Sequence, residues 1–373
     1  MLSFIEILKA ILFGIVEGIT EWLPVSSTGH MILLNEFVHM NVSEEFWDMF
    51  LVVIQLGAIL AVVLLFWKQI WPFNFTGRSK TNGIVKKDIM KMWFKIIVAC
   101  IPAAVVGLLF DDILEKYLYN PITVAVMLIL FGIGFILVEN GHKGKRARVR
   151  SLAQLTYKDA IIIGLFQLIA AIFPGTSRSG ATILGGLMIG VSRTVAAEFT
   201  FFLAIPVMLG ASLLKVIRFG FAFSMAEAVI LLVGMVIAFI VSVLVIRFLM
   251  GYIKKHDFKV FGWYRIVLGI LVLLYVPFSL KGRVKMIMKT NEVFSKPLHF
   301  EIDEKNIKVS QGEEMAQLPW EQVYRFVAND KRILIFSNRK NAYILSKEQL
   351  GDSYEPLKEL AGSTLEKYRL KIK

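Results

Sequence analysis

The chain contains six apolar stretches that are long enough, or nearly long enough, to cross a lipid bilayer, and this feature constrains its fold most. They are residues 49–67, 94–110, 121–138, 199–214, 228–246 and 266–280. A transmembrane helix needs about 20 consecutive, mainly apolar residues. Lys95 is the only charged residue in these stretches, so they can lie in hydrocarbon at low cost. The pattern predicts an all-α polytopic membrane protein with the lipid bilayer as a partner.

The composition supports this prediction and excludes several classes of protein. Apolar residues make up 56% of the chain and charged residues 19%, whereas soluble domains average about 45–50% and 25%. The single cysteine, Cys100, excludes a disulfide framework and cysteine-based zinc or iron–sulfur sites. The net charge of +13 would suit nucleic acid, but the basic residues of the apolar region lie in loops and no recognition motif accompanies them. We therefore expect no nucleic-acid partner.

Two further apolar stretches, 7–16 and 160–173, are too short to cross the membrane. Each runs into a polar turn and then into a second apolar piece, at 31–34 and 181–191. Polar backbone is tolerated at membrane depth only where protein or a water-filled cavity surrounds it. We therefore predict two re-entrant helix hairpins.

The two hairpins align with each other at an offset of 150 residues. The alignment pairs Gly14 with Gly164, Pro24 with Pro174, and Ser27 with Ser177. Three predicted spans follow each hairpin, and an odd number of spans inverts the second copy. The sequence therefore predicts an inverted repeat, with halves at about 1–140 and 151–282.

The charges of the loops predict the orientation in the membrane. Residues 68–95, 142–158 and 254–259 are basic and fall on one side of a six-span arrangement, whereas 111–116 is acidic. Basic loops face the cytoplasm, so the first hairpin and its pocket are expected to open to the extracytoplasmic side of the bacterial cell membrane. The same six-span arrangement places the tail outside, whereas the basic residues at 281–289 favour the cytoplasm. The sequence therefore does not decide on which side of the membrane the tail lies.

Residues 283–373 form a polar tail after the membrane domain of residues 1–282. The tail holds 17 Lys and Arg against 13 Asp and Glu. Short strands are predicted at 298–302, 307–309, 323–327, 333–336 and 343–345. A closing helix is predicted at 347–360, with Trp320 and Tyr343 in a small core. The pattern is similar to small PH-like α+β domains, and we interpret it as a regulatory or interaction module whose partner is unknown.

The first polar cluster contains two carboxylates and a histidine. Glu17 and Glu21 are four residues apart and therefore share one helix face. Such a pair suits a divalent cation, Mg²⁺ or Ca²⁺, and also general-base work. His30 is a candidate proton donor or acceptor. The alternatives are a solvated helix end for the carboxylates and a structural role for the histidine.

Two hydroxyl-rich turns are candidate anion sites. Pro24 ends the first helix, and residues 26–29 then supply hydroxyls and free N–H groups at the start of a second helix. In the turn at 174–182, Arg178 offers a planar fork that matches phosphate oxygens. Simple N-capping and a basic residue at the membrane interface are the alternatives. Together the turns predict a polar pocket for metal-assisted phosphoryl transfer from a lipid substrate.

These motifs resemble the signatures of the bacitracin-resistance type undecaprenyl-diphosphate phosphatases. The matching segments are Glu-x-x-x-Glu at 17–21, Pro-Val-Ser-Ser-Thr-Gly-His at 24–30, and Pro-Gly-Thr-Ser-Arg-Ser-Gly-Ala-Thr at 174–182. The resemblance covers about residues 1–280. It implies hydrolysis of undecaprenyl diphosphate to the monophosphate, which recycles the lipid carrier for cell-wall synthesis and confers bacitracin resistance.

The resemblance, together with the chemistry of the two turns, gives expected roles for individual residues. The expected catalytic residues are Glu17, Glu21, Ser27, His30 and Arg178, and the expected metal ligands are Glu17 and Glu21. The residues expected to bind substrate are Ser26, Thr28, Gly175, Thr176, Ser177, Ser179 and Thr182. Either Ser27 or a water attacks phosphorus, and either His30 or Glu21 manages the proton.

Two questions stay open at the level of sequence. A transporter or flippase of a polyprenyl phosphate lipid is the alternative function, because inverted repeats and broken helices also suit transport. A homodimer is a candidate assembly.

Overall fold

The structure, a computed structural model, describes residues 4–74, 85–220, 223–290, 298–312, 314–338 and 341–372. It divides into two compact units, Met1–Pro277 and Phe278–Lys373, and each is described by itself.

The first unit is built from helices. They are α1 (Phe4–Thr20), α2 (Ser27–Phe37), α3 (Glu44–Val53), α4 (Gln55–Ile70), α5 (Lys87–Leu118), α6 (Pro121–Gly141), α7 (Tyr157–Ile172), α8 (Arg178–Met188), α9 (Arg193–Phe219), α10 (Met225–Tyr252) and α11 (Lys259–Thr290), the last of which runs on beyond this unit.

Five helical segments in the described ranges are long and apolar enough to cross a membrane. They are Glu44–Ile70, Lys87–Phe110, Pro121–Gly141, Arg193–Phe219 and Met225–Tyr252. The first consists of α3 and α4, which meet at Ile54. The sixth predicted span, 266–280, lies within α11, where the side chains of 276–281 are outside the described ones. These segments confirm a multi-pass membrane protein.

The predicted acidic loop at 111–116 is instead the last part of α5. That helix continues to Leu118, and Asn120 then caps the start of α6 by accepting from the Thr123 N–H at 2.9 Å. Pro121 at the first position of α6 is a common helix start, because proline has no N–H to leave unpaired there. The turn between α5 and α6 is therefore shorter than predicted.

The glycines that the sequence aligns, Gly14 and Gly164, both mark close contacts between helices. A Cβ atom on Gly14 of α1 would lie 2.7 Å from the Gly234 oxygen of α10. A Cβ atom on Gly164 of α7 would collide with the backbone of Ala99 in α5. Small residues let helices in membranes approach this closely, so each hairpin packs its first helix against a long apolar helix.

The second helix of each hairpin starts in the same unusual way. Ser26 before α2 has φ 76°, and Ser177 before α8 has φ 67°, a region that non-glycine residues rarely adopt. Each serine caps its helix by accepting a hydrogen bond from a glycine N–H, Gly29 for Ser26 and Gly180 for Ser177. The structure therefore pairs Ser26 with Ser177, one residue away from the pairing in the sequence alignment.

Two ion pairs join helix ends within the first unit. Arg193 at the start of α9 binds Glu139 of α6, whose carboxylate also accepts from the Phe258 N–H at 3.0 Å. Arg148 donates to Asp159 in the first turn of α7 at 2.5 Å. These contacts involve residues of the basic segments that the sequence places in the cytoplasm.

The second unit contains two β-sheets, the first antiparallel and the second mixed. Strands β1 (His299–Ile302), β2 (Asn306–Gln311) and β3 (Glu314–Pro319) form one sheet in that order. Strands β4 (Arg325–Ala328), β5 (Arg332–Phe336), β6 (Ala342–Ser346) and β7 (Leu370–Ile372) form the other, in the order β6-β5-β4-β7, with β7 parallel to β4. The five predicted strands are confirmed, whereas β3 and β7 were not predicted.

The helix predicted at 347–360 is interrupted. Gly351, with φ 49°, ends α12 (Lys347–Leu350), and α13 spans Tyr354–Thr364. Trp320 is buried in the core, as predicted, and its indole N–H donates to the Asp303 oxygen at 2.8 Å. The described residues thus form a small strand-rich domain, and its likeness to PH domains stays a prediction.

Gly175 should be essential to the fold of the second turn. It has φ 86°, and a Cβ atom there would lie 2.5 Å from the Val124 oxygen of α6. We expect Gly175→Ala to destabilise the protein by about 2 kcal/mol or more, because backbone strain and overpacking add. The measurement is the thermal unfolding midpoint of the purified protein in detergent.

Gly29→Ala is the matched control for this prediction. A Cβ atom on Gly29 would lie at least 3.5 Å from its neighbours, and its φ is not positive. Equal unfolding midpoints for Gly175→Ala and Gly29→Ala would contradict the packing described for the second turn.

Candidate active site

Glu21 is the centre of a cluster that joins the two hairpins. Its Oε2 atom accepts a hydrogen bond from the Ser27 hydroxyl at 2.7 Å. Its Oε1 atom accepts from the Arg178 Nη2 atom at 2.9 Å. Residues that are 157 positions apart in the chain are therefore joined by an ion pair, and hydrogen bonds between charged groups are the stronger kind.

The two strained serines place this cluster. Ser27 is the first residue of α2 and follows Ser26, and Arg178 is the first residue of α8 and follows Ser177. A sharp turn before a helix exposes the first helical side chain, as in the nucleophile elbow of α/β-hydrolases. Strain of this kind costs about 1–3 kcal/mol and is concentrated at functional sites. Each hairpin thus presents its first helical side chain, Ser27 or Arg178, from an equivalent position.

A cavity of about 140 Å³ adjoins the cluster. Its polar wall consists of Glu21, Ser27, Thr28, Ser177 and Arg178, with Gly175 beside them. The lining also includes Val207, Met208 and Ala211 of α9, together with Gln55 and Tyr119. A cavity lined by both charged and apolar residues suits a lipid that carries an anionic head group.

Several buried polar atoms at the site have no hydrogen-bond partner within the described part of the chain. Among them are the Nε and Nη1 atoms of Arg178 and the Oε1 atom of Glu17. Buried polar groups are normally paired, so unpaired donors beside a cavity indicate a ligand. The two free guanidinium nitrogens can donate to an anion while Nη2 stays with Glu21.

The carboxylates offer a limited metal site. Glu17 is buried, its carboxyl contacts that of Glu21, and its Oε1 atom is unpaired. Among the described residues no group of three or more His, Cys, Asp or Glu side chains could hold a metal ion. This donor set fits Mg²⁺, which commonly uses one or two carboxylates and takes its other ligands from phosphate oxygens and water.

Several residues predicted to bind substrate bind other parts of the protein. The Ser179 hydroxyl donates to the Glu21 backbone oxygen at 2.9 Å and so ties the second hairpin to the first. Thr182 contacts the Thr200 hydroxyl at 2.8 Å. Thr176 is buried, and its carbonyl oxygen accepts from Arg265. Their role in substrate binding stays a prediction, as does that of Ser26, whose hydroxyl caps α2.

His30 contacts α11. Its Nδ1 atom lies 2.7 Å from the Ser26 carbonyl oxygen, and its Nε2 atom lies 2.7 Å from the Tyr264 hydroxyl. The two rings are parallel, with centroids 5.7 Å apart. The hydrogen bonds that the structure gives His30 thus join it to the turn and to Tyr264.

Arg265 was not among the predicted site residues. Its guanidinium is fully buried and donates to the carbonyl oxygens of Pro24 at 3.2 Å, Gly175 at 3.0 Å and Thr176 at 2.6 Å. The signal in the sequence is a charged residue beside the apolar stretch 266–280, which is also the pattern of an interfacial anchor. Only the packing of α11 against both turns distinguishes a buried arginine of the site from an interfacial anchor.

Comparison with known proteins finds family models that match two parts of the chain. Residues 10–271 match the family described as Bacitracin resistance protein BacA, and residues 302–361 match the family described as YcxB-like protein.

The first match is accompanied by similar curated proteins. An undecaprenyl-diphosphatase from Desulfitobacterium hafniense is 68% identical over 275 residues, which are 74% of this chain and 97% of that protein. One from Enterococcus faecalis is 62% identical over 273 residues, 73% of this chain and 98% of that protein. Undecaprenyl-diphosphatase 1 from Clostridium acetobutylicum is 62% identical over 274 residues, 74% of this chain and 98% of that protein. The chain therefore belongs to the BacA family of bacitracin resistance proteins.

Proposed function

We infer that this chain is an undecaprenyl-diphosphatase, a membrane hydrolase that converts undecaprenyl diphosphate to undecaprenyl phosphate and inorganic phosphate. Its family and the names of relatives at 62–68% identity support this activity. The observation that carries it is the contact of Ser27 and Arg178 with one carboxylate beside a cavity. The reaction recycles a lipid carrier for cell-wall synthesis and gives bacitracin resistance.

Arg178 is proposed to hold the diphosphate. Its Nε and Nη1 atoms are buried and without a protein partner in the described ranges, so each is free to donate a hydrogen bond to a phosphate oxygen. Glu21 keeps the guanidinium in place through Nη2. The apolar residues of α9 in the lining of the cavity are proposed to contact the first part of the prenyl chain.

Ser27 is proposed to attack the terminal phosphorus. Its hydroxyl already donates to Glu21, so Glu21 takes the proton as the Ser27 Oγ–phosphorus bond forms. The bond between the terminal phosphorus and the bridging oxygen breaks, and undecaprenyl phosphate leaves. Water then hydrolyses the phosphoserine and releases inorganic phosphate. Direct attack by water, with Ser27 orienting it, is the second route.

A divalent cation, Mg²⁺ or Ca²⁺, is proposed as the cofactor. The unpaired Glu17 Oε1 atom and the adjacent Glu21 carboxylate are the protein groups that would hold it. When bound, such an ion neutralises charge on the diphosphate.

The membrane domain is proposed to be an inverted repeat. The two hairpins share a strained serine cap, and their first helices each pack against the second long span of the other half, α1 on α10 and α7 on α5. These are the reciprocal contacts that a two-fold relation between the halves would produce.

The cavity is proposed to open to the extracytoplasmic side. Tyr119 in its wall belongs to the turn between α5 and α6. In the predicted topology this turn lies on the side opposite to the basic segments 68–95 and 142–158.

Ser27→Ala should lower kcat at least about 100-fold, because it removes the nucleophile that Glu21 activates. The measurement is phosphate release by the purified protein from undecaprenyl diphosphate. Acid quenching with substrate labelled in the terminal phosphate should trap a phosphoserine at position 27 in the unmodified protein. Ser224→Ala is the control, since Ser224 also lies at a helix start, that of α10. Turnover by Ser27→Ala within about threefold of the Ser224→Ala rate would exclude the covalent route.

Chelation should stop phosphate release, and Mg²⁺ or Ca²⁺ should restore it. We expect Glu17→Gln to raise the cation concentration for half-maximal activity about tenfold or more, because it removes a charged ligand. Glu44→Gln, at an exposed glutamate of α3, should leave that concentration unchanged. Full activity after exhaustive chelation would exclude the cofactor.

Single cysteines should report the orientation. In a Cys100→Ser background, we expect a membrane-impermeant maleimide to label Asn41→Cys in intact cells and Lys145→Cys only after lysis. Both positions are exposed, so a difference in labelling between them reports the side of the membrane on which each lies. The reverse pattern would place the cavity on the cytoplasmic side.

A further inference from the structure

The hydrogen bonds of His30 fix the positions of its protons. A carbonyl oxygen can only accept, so the Nδ1–H of His30 donates to Ser26. In the neutral ring the Nε2 atom is then an acceptor, and it receives the hydroxyl proton of Tyr264. Both ring nitrogens are thus used to connect the first turn with α11.

Arg265, the next residue of α11, holds the same two turns at their backbone. It donates to Pro24 in the first turn and to Gly175 and Thr176 in the second. Pro24 and Gly175 lie two residues before the strained serines Ser26 and Ser177, so Arg265 binds equivalent points of both turns. Glycine at position 180 leaves room for it, because a Cβ atom there would lie 2.6 Å from the Arg265 Nη1 atom.

We propose that Tyr264 and Arg265 form an α11 clamp that sets the shape of both turns and thereby the positions of Ser27 and Arg178. Tyr264 acts through His30 on the first turn, and Arg265 acts directly on both. His30 is a positioning residue in this arrangement, and the proton of Ser27 passes to Glu21. The inference rests on the proposed function for its kinetic test, whereas its structural test does not.

The strained backbone of the turns explains why such a clamp is needed. A serine with φ 76° or 67° returns to an ordinary conformation unless surrounding contacts hold it. The carbonyl oxygens of the turns are buried among apolar helices and need donors. A guanidinium can serve three carbonyls in fixed directions, whereas a lysine ammonium on a flexible stem cannot reproduce that fork.

The first test is Tyr264→Phe, which removes one hydroxyl and keeps the ring. We expect kcat for phosphate release to fall about 3- to 10-fold, KM to change less than about twofold, and the unfolding midpoint to stay the same. Tyr275→Phe, which removes a hydroxyl from the same helix, is the control and should match the unmodified protein. Unchanged kcat in Tyr264→Phe, or a loss that parallels a lowered unfolding midpoint, would overturn the positioning role.

The second test separates positioning by His30 from proton transfer. The amide of His30→Asn can still donate to the Ser26 carbonyl and does not titrate. We expect the variant to keep the pH dependence of kcat/KM and to lose no more than about 10-fold in kcat. Loss of the acidic limb together with a fall of about 10²–10⁴-fold would identify His30 as the general base and overturn the proposal.

Amide hydrogen exchange tests the clamp independently of activity. Arg265→Lys should speed exchange in both turns, at 24–30 and 174–182, whereas Tyr264→Phe should speed it only at 24–30. Tyr275→Phe should change neither. Unchanged exchange at 24–30 in Tyr264→Phe would overturn the clamp. This variant still tests the clamp if Arg265→Lys does not fold. Failure of the unmodified protein to release phosphate would instead overturn the proposed function and leave the exchange result valid.

Discussion

Buried backbone carbonyls in two polar turns need hydrogen-bond donors, and the guanidinium of Arg265 supplies them from a third element. Lipid and apolar side chains cannot pair with these carbonyls, and an unpaired polar group in such surroundings costs several kcal/mol. Arg265 donates to the carbonyl oxygens of Pro24, Gly175 and Thr176. The Ser179 hydroxyl also donates to the backbone oxygen of Glu21. Because these donors join both hairpins, the turns can keep a strained backbone.

The chemistry of the site follows from that backbone. Each strained serine is followed by a residue of the proposed reaction, Ser27 in one hairpin and Arg178 in the other. The two side chains meet at different oxygens of Glu21, which therefore holds a guanidinium and accepts from a hydroxyl at once. A nearly symmetrical backbone thus carries an asymmetrical site, because the residues at the equivalent positions differ.

Much of the fold and site could be predicted from the sequence. Apolar length identified the spans, since a transmembrane helix needs about 20 mainly apolar residues. The two motifs singled out Glu21, Ser27 and Arg178, which the structure brings into contact, and their catalytic roles stay a prediction. The alignment of the hairpins was one residue wrong at the caps, because backbone strain at Ser26 and Ser177 leaves no mark on side-chain identity. Strand β7 was not predicted, because its pairing with β4 joins segments that are remote from each other in the chain.

The sequence by itself determined that this chain is a membrane protein of the BacA family with a separate strand-rich tail domain, because apolar length, motif spacing and alternation are local properties. Only the tertiary structure decided which polar residues act on one another. His30 lies within the first motif, yet its partner Tyr264 is 234 positions away. In the sequence Arg265 has the pattern of an interfacial anchor. In the structure its side chain is fully buried and donates to both turns. The physical reason is that hydrogen-bond partners in a buried site are set by the packing of helices that are distant along the chain.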